Sequence, residues 1–136
     1  MSPVFAKHTR LPDERNGITH KFTVGGHEGY ITVGRYPDKA PGEIFLVSAK
    51  EGSMLSGFLD TLAMTASLAL QHGVPPKAIV KKWLNMRFEP SGATSNPDIP
   101  FAHSIVDYLA RWLAKNFLTK EECDEVGIKT SEGVAR

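Results

Sequence analysis

The spacing of apolar residues along this chain changes once, near Ser53. Before that position, short segments rich in β-branched and aromatic residues alternate with turns that contain Gly and Pro, which is typical of β-strands. After it, apolar residues recur every three or four positions, which is the period of an amphipathic helix. Strands that come first and helices that follow predict an α+β fold.

Three strands are predicted in the first part of the chain. They are separated by a glycine-rich turn at 25–29 and a turn at 37–42 that contains two prolines. Short turns between consecutive strands favour an antiparallel arrangement. We therefore predict a three-stranded antiparallel meander followed by three to four helices packed on one face of the sheet. The predicted strands are 18–24, 30–36 and 43–49.

The predicted helices occupy the second part of the chain. Ser53 is a suitable N-cap for the first helix, and Gly73 is a suitable C-terminal stop. That helix is apolar or small on nearly all sides, so we expect it to be buried against the sheet, with Asp60 paired to a polar partner. The predicted ranges are 54–72, 77–85, 101–118 and a short helix opened by the capping box Thr119–Glu122. The third helix carries an apolar stripe at Ile105, Tyr108, Leu109, Trp112 and Leu113.

Helices on one face of the sheet leave the other face to solvent or to a partner. Phe22, Tyr30 and Tyr36 are candidates for that open face. Large aromatic side chains on a sheet surface favour contact with another protein surface. We therefore predict a homo-oligomer.

Size and charge exclude several classes of protein. A chain of 136 residues with 41% hydrophobic residues suffices for one folded domain. We place that domain at 18–126, between an irregular arm at 1–17 and a loose tail at 127–136. Sixteen basic and 15 acidic residues give a net charge of +1, which argues against the coating of bulk nucleic acid.

Cysteine use and hydropathy point to one cellular setting. Cys123 is the single cysteine, which excludes an internal disulfide and a cysteine-based zinc site and favours a reducing compartment. The N-terminal residues lack the apolar region of a secretory signal. The longest apolar helical run, 54–70, is too short and too polar to span a membrane. We expect a cytoplasmic protein.

The segment that leads into the first helix carries candidate ligand-binding residues. Backbone N–H groups at a helix N-terminus attract anions, and Gly52 permits a close approach. Lys50 adds a positive charge, and the hydroxyls of Ser53 and Ser56 add donors. In the alternative interpretation, Ser53 only caps the helix and Lys50 is solvated.

The polar segment 87–97, between two helices, is the second candidate. Arg87 offers a planar fork for phosphate or carboxylate. Glu89 is an acceptor for a ribose hydroxyl or a base amine. In the alternative interpretation, Arg87 pairs with Glu89 and the short polar side chains form internal turns. The candidate ligand-binding residues are Arg87, Glu89, Ser91, Thr94 and Asn96.

No arrangement of residues predicts catalysis or metal binding. The HxH and HExxH spacings are both absent, and a metal site needs three or four converging ligands. A Ser-His-Asp or Cys-His set cannot be assigned from spacing alone. We therefore predict no catalytic residues and no metal ligands.

A series of short motifs occurs in a fixed order over roughly residues 10–113. The motifs are Leu11–Arg15, Thr19–Phe22, Gly26–Gly34, Pro41–Phe45, Ala49–Ser53, Ser56–Gly57, Ser67–Gln71, Gly73–Pro75, the 87–97 segment and Ser104–Tyr108. Together they resemble the C-terminal accessory region of the adenosylcobalamin-dependent (class II) ribonucleotide reductases, which belongs to the TSCPD domain family.

The resemblance implies a nucleotide context without supplying catalytic residues. In such reductases, radical chemistry takes place in a large barrel domain with cobalamin and active-site cysteines, and tail cysteines pass electrons to it. This sequence matches neither part, and Cys123 lies beyond the matched region. We therefore expect no activity from this chain alone, no cofactor bound by it, and adenosylcobalamin only through a reductase partner.

Three hypotheses about function follow. The first is a non-catalytic accessory domain that binds a nucleotide or phosphate-bearing ligand, in a pocket that joins the 50–56 segment to the 87–97 segment. The second is a docking subunit that binds a class II reductase chain through the open sheet face. The third is a free-standing binder that sequesters nucleotides or nucleotide signals.

Overall fold

The computed structural model describes residues 7–49 and 53–129. It confirms the α+β class: a three-stranded antiparallel sheet precedes four helices. The strands of this sheet are β1 (Gly17–Val24), β2 (His27–Arg35) and β3 (Pro41–Ser48), in the order β1-β2-β3. The helices are α1 (Met54–Gln71), α2 (Pro76–Trp83), α3 (Ile105–Phe117) and α4 (Lys120–Val126). Two short strands, β4 (Gly92–Ala93) and β5 (Phe101–Ala102), lie between α2 and α3.

The described residues form two compact units. The first, the sheet unit, comprises residues up to Lys21 together with Gly29–Pro75. The second, the helical unit, comprises Phe22–Glu28, the tip of the β1–β2 hairpin, and the residues from Pro76 onward.

The sheet unit has one buried and one exposed sheet face, as the alternation of side chains along a strand requires. Ile31 pairs with Leu46, and Val33 pairs with Ile44, and all four side chains are buried. The intervening pairs, Tyr30 with Val47 and Thr32 with Phe45, lie on the opposite face. Tyr30, Phe45 and Val47 are substantially exposed there. The prediction that Tyr30 lies on an open face is confirmed.

Helix α1 packs along β3, which is one of the two edge strands of the sheet. The hydroxyl of Ser67 accepts a hydrogen bond from the N–H of Ile44 at 2.7 Å and donates to the C=O of Ile44 at 3.1 Å. One turn later, the amide of Gln71 donates to the C=O of Gly42 at 3.0 Å. An edge strand presents unpaired backbone groups that invite pairing with another chain. Polar side chains of α1 satisfy these groups and cover part of the edge.

Only one side of α1 is buried, which corrects the expectation of a helix buried all round. The buried residues are Leu59, Ala63, Ala66 and Leu70. The opposite side exposes Met54 by 79%, Phe58 by 66%, Met64 by 65% and Leu68 by 57%. Asp60, which we expected to be paired, is exposed and forms no ion pair with the residues that the structure describes. Apolar and small residues lie on nearly all sides of the helix, but only the side with Leu59, Ala63, Ala66 and Leu70 is buried.

The prediction that Phe22 lies on the open sheet face is wrong. Its side chain is fully buried in the helical unit, where its ring centroid lies 5.7 Å from that of Tyr108. Phe22 and Val24 are two positions apart and both are buried, so the strand period of two places them on one face. Tyr36 is half-buried in the sheet unit, and its hydroxyl donates to the C=O of Thr9.

The helical unit is built around α3. All five residues of the predicted apolar stripe of α3 are buried. Helix α2 packs on α3 and contributes Val80, which is also fully buried. Helix α4 begins with the predicted capping box between Thr119 and Glu122, and it ends at Gly127, whose φ of 90° is left-handed.

Helix α3 begins at Ile105, four residues later than predicted. Phe101 and Ala102 instead pair as strand β5 with Ala93 and Gly92 of β4. Ser104 then caps the helix, because its hydroxyl accepts a hydrogen bond from the N–H of Asp107. In the part of the chain that the structure describes, no helix is long and apolar enough to cross a membrane.

Candidate functional site

The 87–97 segment is fixed at both flanks by one buried carboxylate in the helical unit. Asp107, on the first turn of α3, is fully buried. It accepts hydrogen bonds from the backbone N–H of Asn85 at 2.7 Å and of His103 at 2.9 Å. The guanidinium of Arg111 pairs with the same carboxylate at 3.1 Å and donates to the side chain of Asn85 at 2.8 Å. A buried carboxylate is stable only when paired in this way, and here its partners hold the two ends of the polar segment together.

Ser104 adds a second connection between the same two ends. Its hydroxyl is fully buried and donates to the C=O of Met86 at 2.6 Å, while it accepts from the N–H of Asp107 at 2.9 Å. Asn85, next to Met86, has a φ of 65°, a conformation that asparagine tolerates better than most residues. The motif Ser104–Tyr108 therefore serves to position the polar segment.

The side chains of Thr94 and Asn96 form hydrogen bonds that shape the segment, as the alternative interpretation of the sequence predicts. The hydroxyl of Thr94 donates to the C=O of Ile99 and accepts from the N–H of Asn96 at 3.1 Å. The carboxamide of Asn96 donates to the Tyr108 hydroxyl at 3.1 Å and accepts from the N–H of Asp98 at 3.0 Å. Burial raises the pKa of Tyr108, and the hydrogen bond from Asn96 opposes that shift. These two side chains shape the segment and have little capacity left for a ligand.

The tip of the β1–β2 hairpin also contacts the 87–97 segment through the backbone. Val24 forms an isolated bridge with Thr94, and the N–H of Gly25 donates to the C=O of Ala93 at 2.9 Å. A Cβ atom on Gly25 would lie 2.3 Å from the carbonyl oxygen of Ser91, so only glycine allows this approach. Backbone contacts thus fix the segment near Ser91 as well.

Three predicted ligand-binding residues point into solvent from this fixed segment. Arg87, Glu89 and Ser91 are exposed. Their side chains make no hydrogen bond or ion pair with any residue in 7–49 or 53–129. The alternative pairing of Arg87 with Glu89 therefore does not form. A guanidinium with no internal partner, on a rigid backbone, is available to an anion.

Sequence reasoning missed the aromatic residues beside Arg87. Phe88 is 44% exposed, and Phe101 on β5 is 54% exposed. The N–H of Phe88 donates to the C=O of His103 at 3.2 Å, and the ring of His103 meets that of Phe101 edge-on at 5.2 Å. These contacts bring the two phenylalanines onto neighbouring backbone segments. The sequence signal was an aromatic residue near each end of the polar segment: Phe88 lies within the segment, and helical spacing assigned Phe101 to the third helix.

The start of α1, in the sheet unit, is described only in part. Ser53 is the N-cap, and its hydroxyl accepts a hydrogen bond from the N–H of Ser56 at 3.1 Å. The capping interpretation of Ser53 is confirmed. Lys50 and Gly52 lie outside the described residues. The ligand-binding role of these residues stays a prediction.

A cavity of about 450 Å³ lies in the sheet unit, between the segment before β1 and the turn after β2. Three of its eight lining residues are cationic, namely Arg15, Arg35 and Lys39, and no histidine contributes to it. Among the described residues, no group of three or more His, Cys, Asp or Glu side chains is arranged to hold a metal ion. Cys123 is fully buried, and its sulfur lies 3.8 Å from the C=O of Ala114.

Comparison with known proteins finds one family. The TSCPD domain model matches residues 6–117. A protein of Rhodopirellula baltica named "Vitamin B12-dependent ribonucleotide reductase" is 48% identical over 130 residues, which is 96% of this chain and 12% of that protein. Proteins of the same name from Streptantibioticus cattleyicolor and Bradyrhizobium diazoefficiens are 50% and 41% identical over 90% and 86% of this chain.

This chain is similar to a small part of those relatives. It spans 20% of the Streptantibioticus protein and 9% of the Bradyrhizobium protein. No solved structure matches the chain.

Proposed function

Because this chain belongs to the TSCPD domain family and resembles a region of B12-dependent ribonucleotide reductases, we propose that it is an accessory domain, non-catalytic by itself, that binds a nucleotide or another phosphate-bearing ligand. The observation that carries the proposal is the exposed guanidinium of Arg87, which has no partner among the described residues, on a segment fixed by Asp107. A binding group that is already held in place loses little freedom when the ligand arrives.

The residues around Arg87 suit the parts of a nucleotide. The guanidinium presents donors in a plane that matches two phosphate oxygens. The exposed rings of Phe88 and Phe101 offer surfaces on which a base can stack. Glu89 is an exposed acceptor for a ribose hydroxyl, and Ser91 adds an exposed hydroxyl.

The start of α1, in the sheet unit, carries the other residues of the predicted ligand-binding set. Ser53 and Ser56 contribute hydroxyls there, and Lys50 and Gly52 complete the predicted set. Since Ser53 already caps the helix, the proposal for phosphate binding rests on Arg87.

The cavity of the sheet unit does not suit adenosylcobalamin. The cavity of about 450 Å³ in the sheet unit is too small for a corrin ring with its nucleotide tail, and its lining holds no histidine to approach cobalt. We therefore assign this cofactor to a reductase partner and give the residues of this chain no step in its chemistry.

Calorimetric titration tests the nucleotide proposal. Mono-, di- and cyclic nucleotides are titrated into the parent protein, Arg87→Ala and the control Lys82→Gln, which removes an exposed cation on α2. We expect saturable heat with at least one nucleotide and binding at least about tenfold weaker in Arg87→Ala, because charge-assisted hydrogen bonds to phosphate are lost. Absence of heat with every nucleotide, or unchanged affinity in Arg87→Ala, would overturn the proposal.

A second candidate function is a docking subunit for a separate reductase chain. It is favoured by the exposed apolar side of α1, formed by Met54, Phe58, Met64 and Leu68. Such a patch is unusual on a protein without a partner. The relatives carry at least four-fifths of their length outside the matched region, so we propose the reductase body as the surface that covers α1.

Co-purification distinguishes the two functions. A barrel-bearing class II reductase chain is expected to retain the parent protein, to release Phe58→Glu, and to retain Val74→Glu, an exposed apolar residue outside the α1 surface. A homodimer that is uniform in size and ignores the reductase chain would count against docking.

A further inference from the structure

The cavity of the sheet unit has two rigid walls. On the first wall, the Arg15 side chain donates to the C=O of Pro12 at 2.7 Å and forms a two-pronged ion pair with Glu43. Next to it, the C=O of Asn16 accepts a hydrogen bond from the N–H of Arg35 at 2.8 Å. The charge of Arg15 is thus neutralised by Glu43, and its role in the cavity is to hold the wall in place.

The second wall is the tight turn after β2. The N–H of Tyr36 donates to the C=O of Ala40 at 2.9 Å, and the N–H of Lys39 donates to the C=O of Tyr36 at 2.8 Å. The carboxylate of Asp38 is occupied by the N–H of Ala40 at 2.9 Å. Lys39 has a φ of 73°, a left-handed conformation that is uncommon for a long side chain. The turn therefore fixes where the Lys39 side chain begins, and Lys39 forms no ion pair within the described part of the chain.

Arg35 is the unexplained group in this cavity. Its Nε is buried and has no hydrogen-bond acceptor. Its guanidinium also forms no ion pair with the described residues. Buried donors in folded proteins nearly always have a partner, so an orphaned one calls for an acceptor that is not part of the chain. The position of Arg35 on the lining indicates where that acceptor would sit.

We infer that this cavity binds the phosphate group of a small molecule. The planar guanidinium of Arg35 can hold two phosphate oxygens, and the ammonium of Lys39 supplies a second uncommitted positive charge. Two free cations favour a doubly charged phosphate over a neutral ligand. Glu14 is the lone carboxylate on the lining and opposes the anion. The cavity volume is within the range of small-ligand pockets.

This site is independent of the proposed function at Arg87. It lies in the sheet unit, whereas Arg87 lies in the helical unit. Titration with inorganic pyrophosphate, followed by calorimetry and by ³¹P NMR, tests it without a base that could stack on Phe88. We expect saturable binding to the parent protein, and we expect this binding to persist in Arg87→Ala because the cavity residues are intact in that variant.

Three variants test both the direction and the magnitude of the expected changes in pyrophosphate binding. Arg35→Gln and Lys39→Asn are each expected to weaken pyrophosphate binding at least about tenfold, because each removes one of the two free charges. Asparagine tolerates the left-handed φ of Lys39. Lys39→Asn therefore tests the inference even if Arg35→Gln fails to fold. Glu14→Gln is expected to strengthen binding, since it removes the opposing carboxylate.

Lys82→Gln serves as the matched control, because it changes the net charge equally on an exposed helix surface. The inference is overturned if the parent protein shows no saturable pyrophosphate binding. It is also overturned if folded Lys39→Asn binds like the parent, or if Lys82→Gln weakens binding as much as Lys39→Asn. If pyrophosphate binds as expected but no nucleotide responds to Arg87→Ala, the cavity stands and the proposal for Arg87 fails.

Discussion

The carboxylate of Asp107 and the backbone N–H of Asn85 lie 2.7 Å apart, although 22 positions separate them in the sequence. This contact joins the residues after α2 to the first turn of α3 and sets the geometry of the segment that carries Arg87. Asp107 is fully buried, so its partners must satisfy it completely.

Replacement of Asp107 is expected to destabilise the helical unit strongly. Asp107→Ala leaves the N–H groups of Asn85 and His103 without an acceptor and Arg111 without its ion pair. We expect a loss of about 2–4 kcal/mol in the free energy of unfolding. Urea denaturation measures it, with Asp124→Ala on the exposed side of α4 as the control. A loss no larger than that of the control would show that Asp107 does not anchor the segment.

Ser67 is expected to stabilise the sheet unit through the edge of β3. Ser67→Ala removes both the donor and the acceptor that serve Ile44, and we expect a loss of about 1–3 kcal/mol. The control is Thr65→Ala, two residues away on the exposed side of α1. Hydrogen exchange of the Ile44 amide should become faster in Ser67→Ala alone. Equal protection of that amide in both variants would contradict the assignment.

Phe101 is expected to bind the base of a nucleotide and not its phosphates. In Phe101→Ala, nucleotide binding should weaken by about 1–3 kcal/mol, the usual contribution of one stacked base. Pyrophosphate binding should stay as in the parent protein. Phe45→Ala is a close control, because Phe45 is 53% exposed and Phe101 is 54% exposed. If both variants bind nucleotides like the parent, stacking at Phe101 is excluded.

The sequence places the contact of the predicted homo-oligomer on the open sheet face, and the exposed outer side of α1 is a second candidate surface. Met64 is 65% exposed, so Met64→Glu should change the stability of the single chain by less than about 0.5 kcal/mol. It should nevertheless dissociate an oligomer that buries this side, because a charge would be buried without a partner. Sedimentation velocity measures the oligomeric state, with Val74→Glu as the control. An oligomer that survives Met64→Glu would have to use another surface, such as the exposed sheet face at Tyr30 and Phe45.

Alkaline pH is expected to weaken the fold partly through Tyr108. Burial raises the pKa of its hydroxyl above the ordinary value of 10.0. Above that pH, the unfolded chain releases the phenolic proton while the folded protein retains it. The contribution of Tyr108 to the free energy of unfolding is therefore fully present below about pH 10, and it is lost as the pH rises through the folded pKa. In Tyr108→Phe, the free energy of unfolding should fall less steeply above pH 10, and a slope equal to that of the parent would contradict this.

Local chemistry predicted the helix ends well. Ser53, Gly73 and the Thr119–Glu122 pair lie where caps and stops were expected, because a cap depends on a few neighbouring residues. The start of α3 was misplaced because pairing of Phe101 with Ala93 depends on a chain reversal that helical spacing does not reveal. The same reversal hid the aromatic surface beside Arg87.

Only the tertiary structure distinguished the candidate residues that are used within the fold from those that are available to a ligand. The side chains of Thr94 and Asn96 could bind a ligand by their chemistry, yet their hydrogen bonds are made to other groups of the helical unit. Arg87 and Glu89 look like an ion pair by spacing, yet both are exposed without one among the described residues. Nothing in the sequence singled out Arg35 as a binding residue, because the observation that does so is a buried Nε without a hydrogen-bond acceptor.

The sequence by itself determined the α+β class, the order of strands and helices, and the caps, since periodicity and capping are properties of short stretches. Its ordered motifs also predicted the family. Only the tertiary structure decided which motif residues are structural, as Ser67, Ser104 and Asp107 are, and which are left for a ligand. The physical reason is that a polar side chain is free or committed according to the groups that folding brings to it, and those groups are distant in sequence.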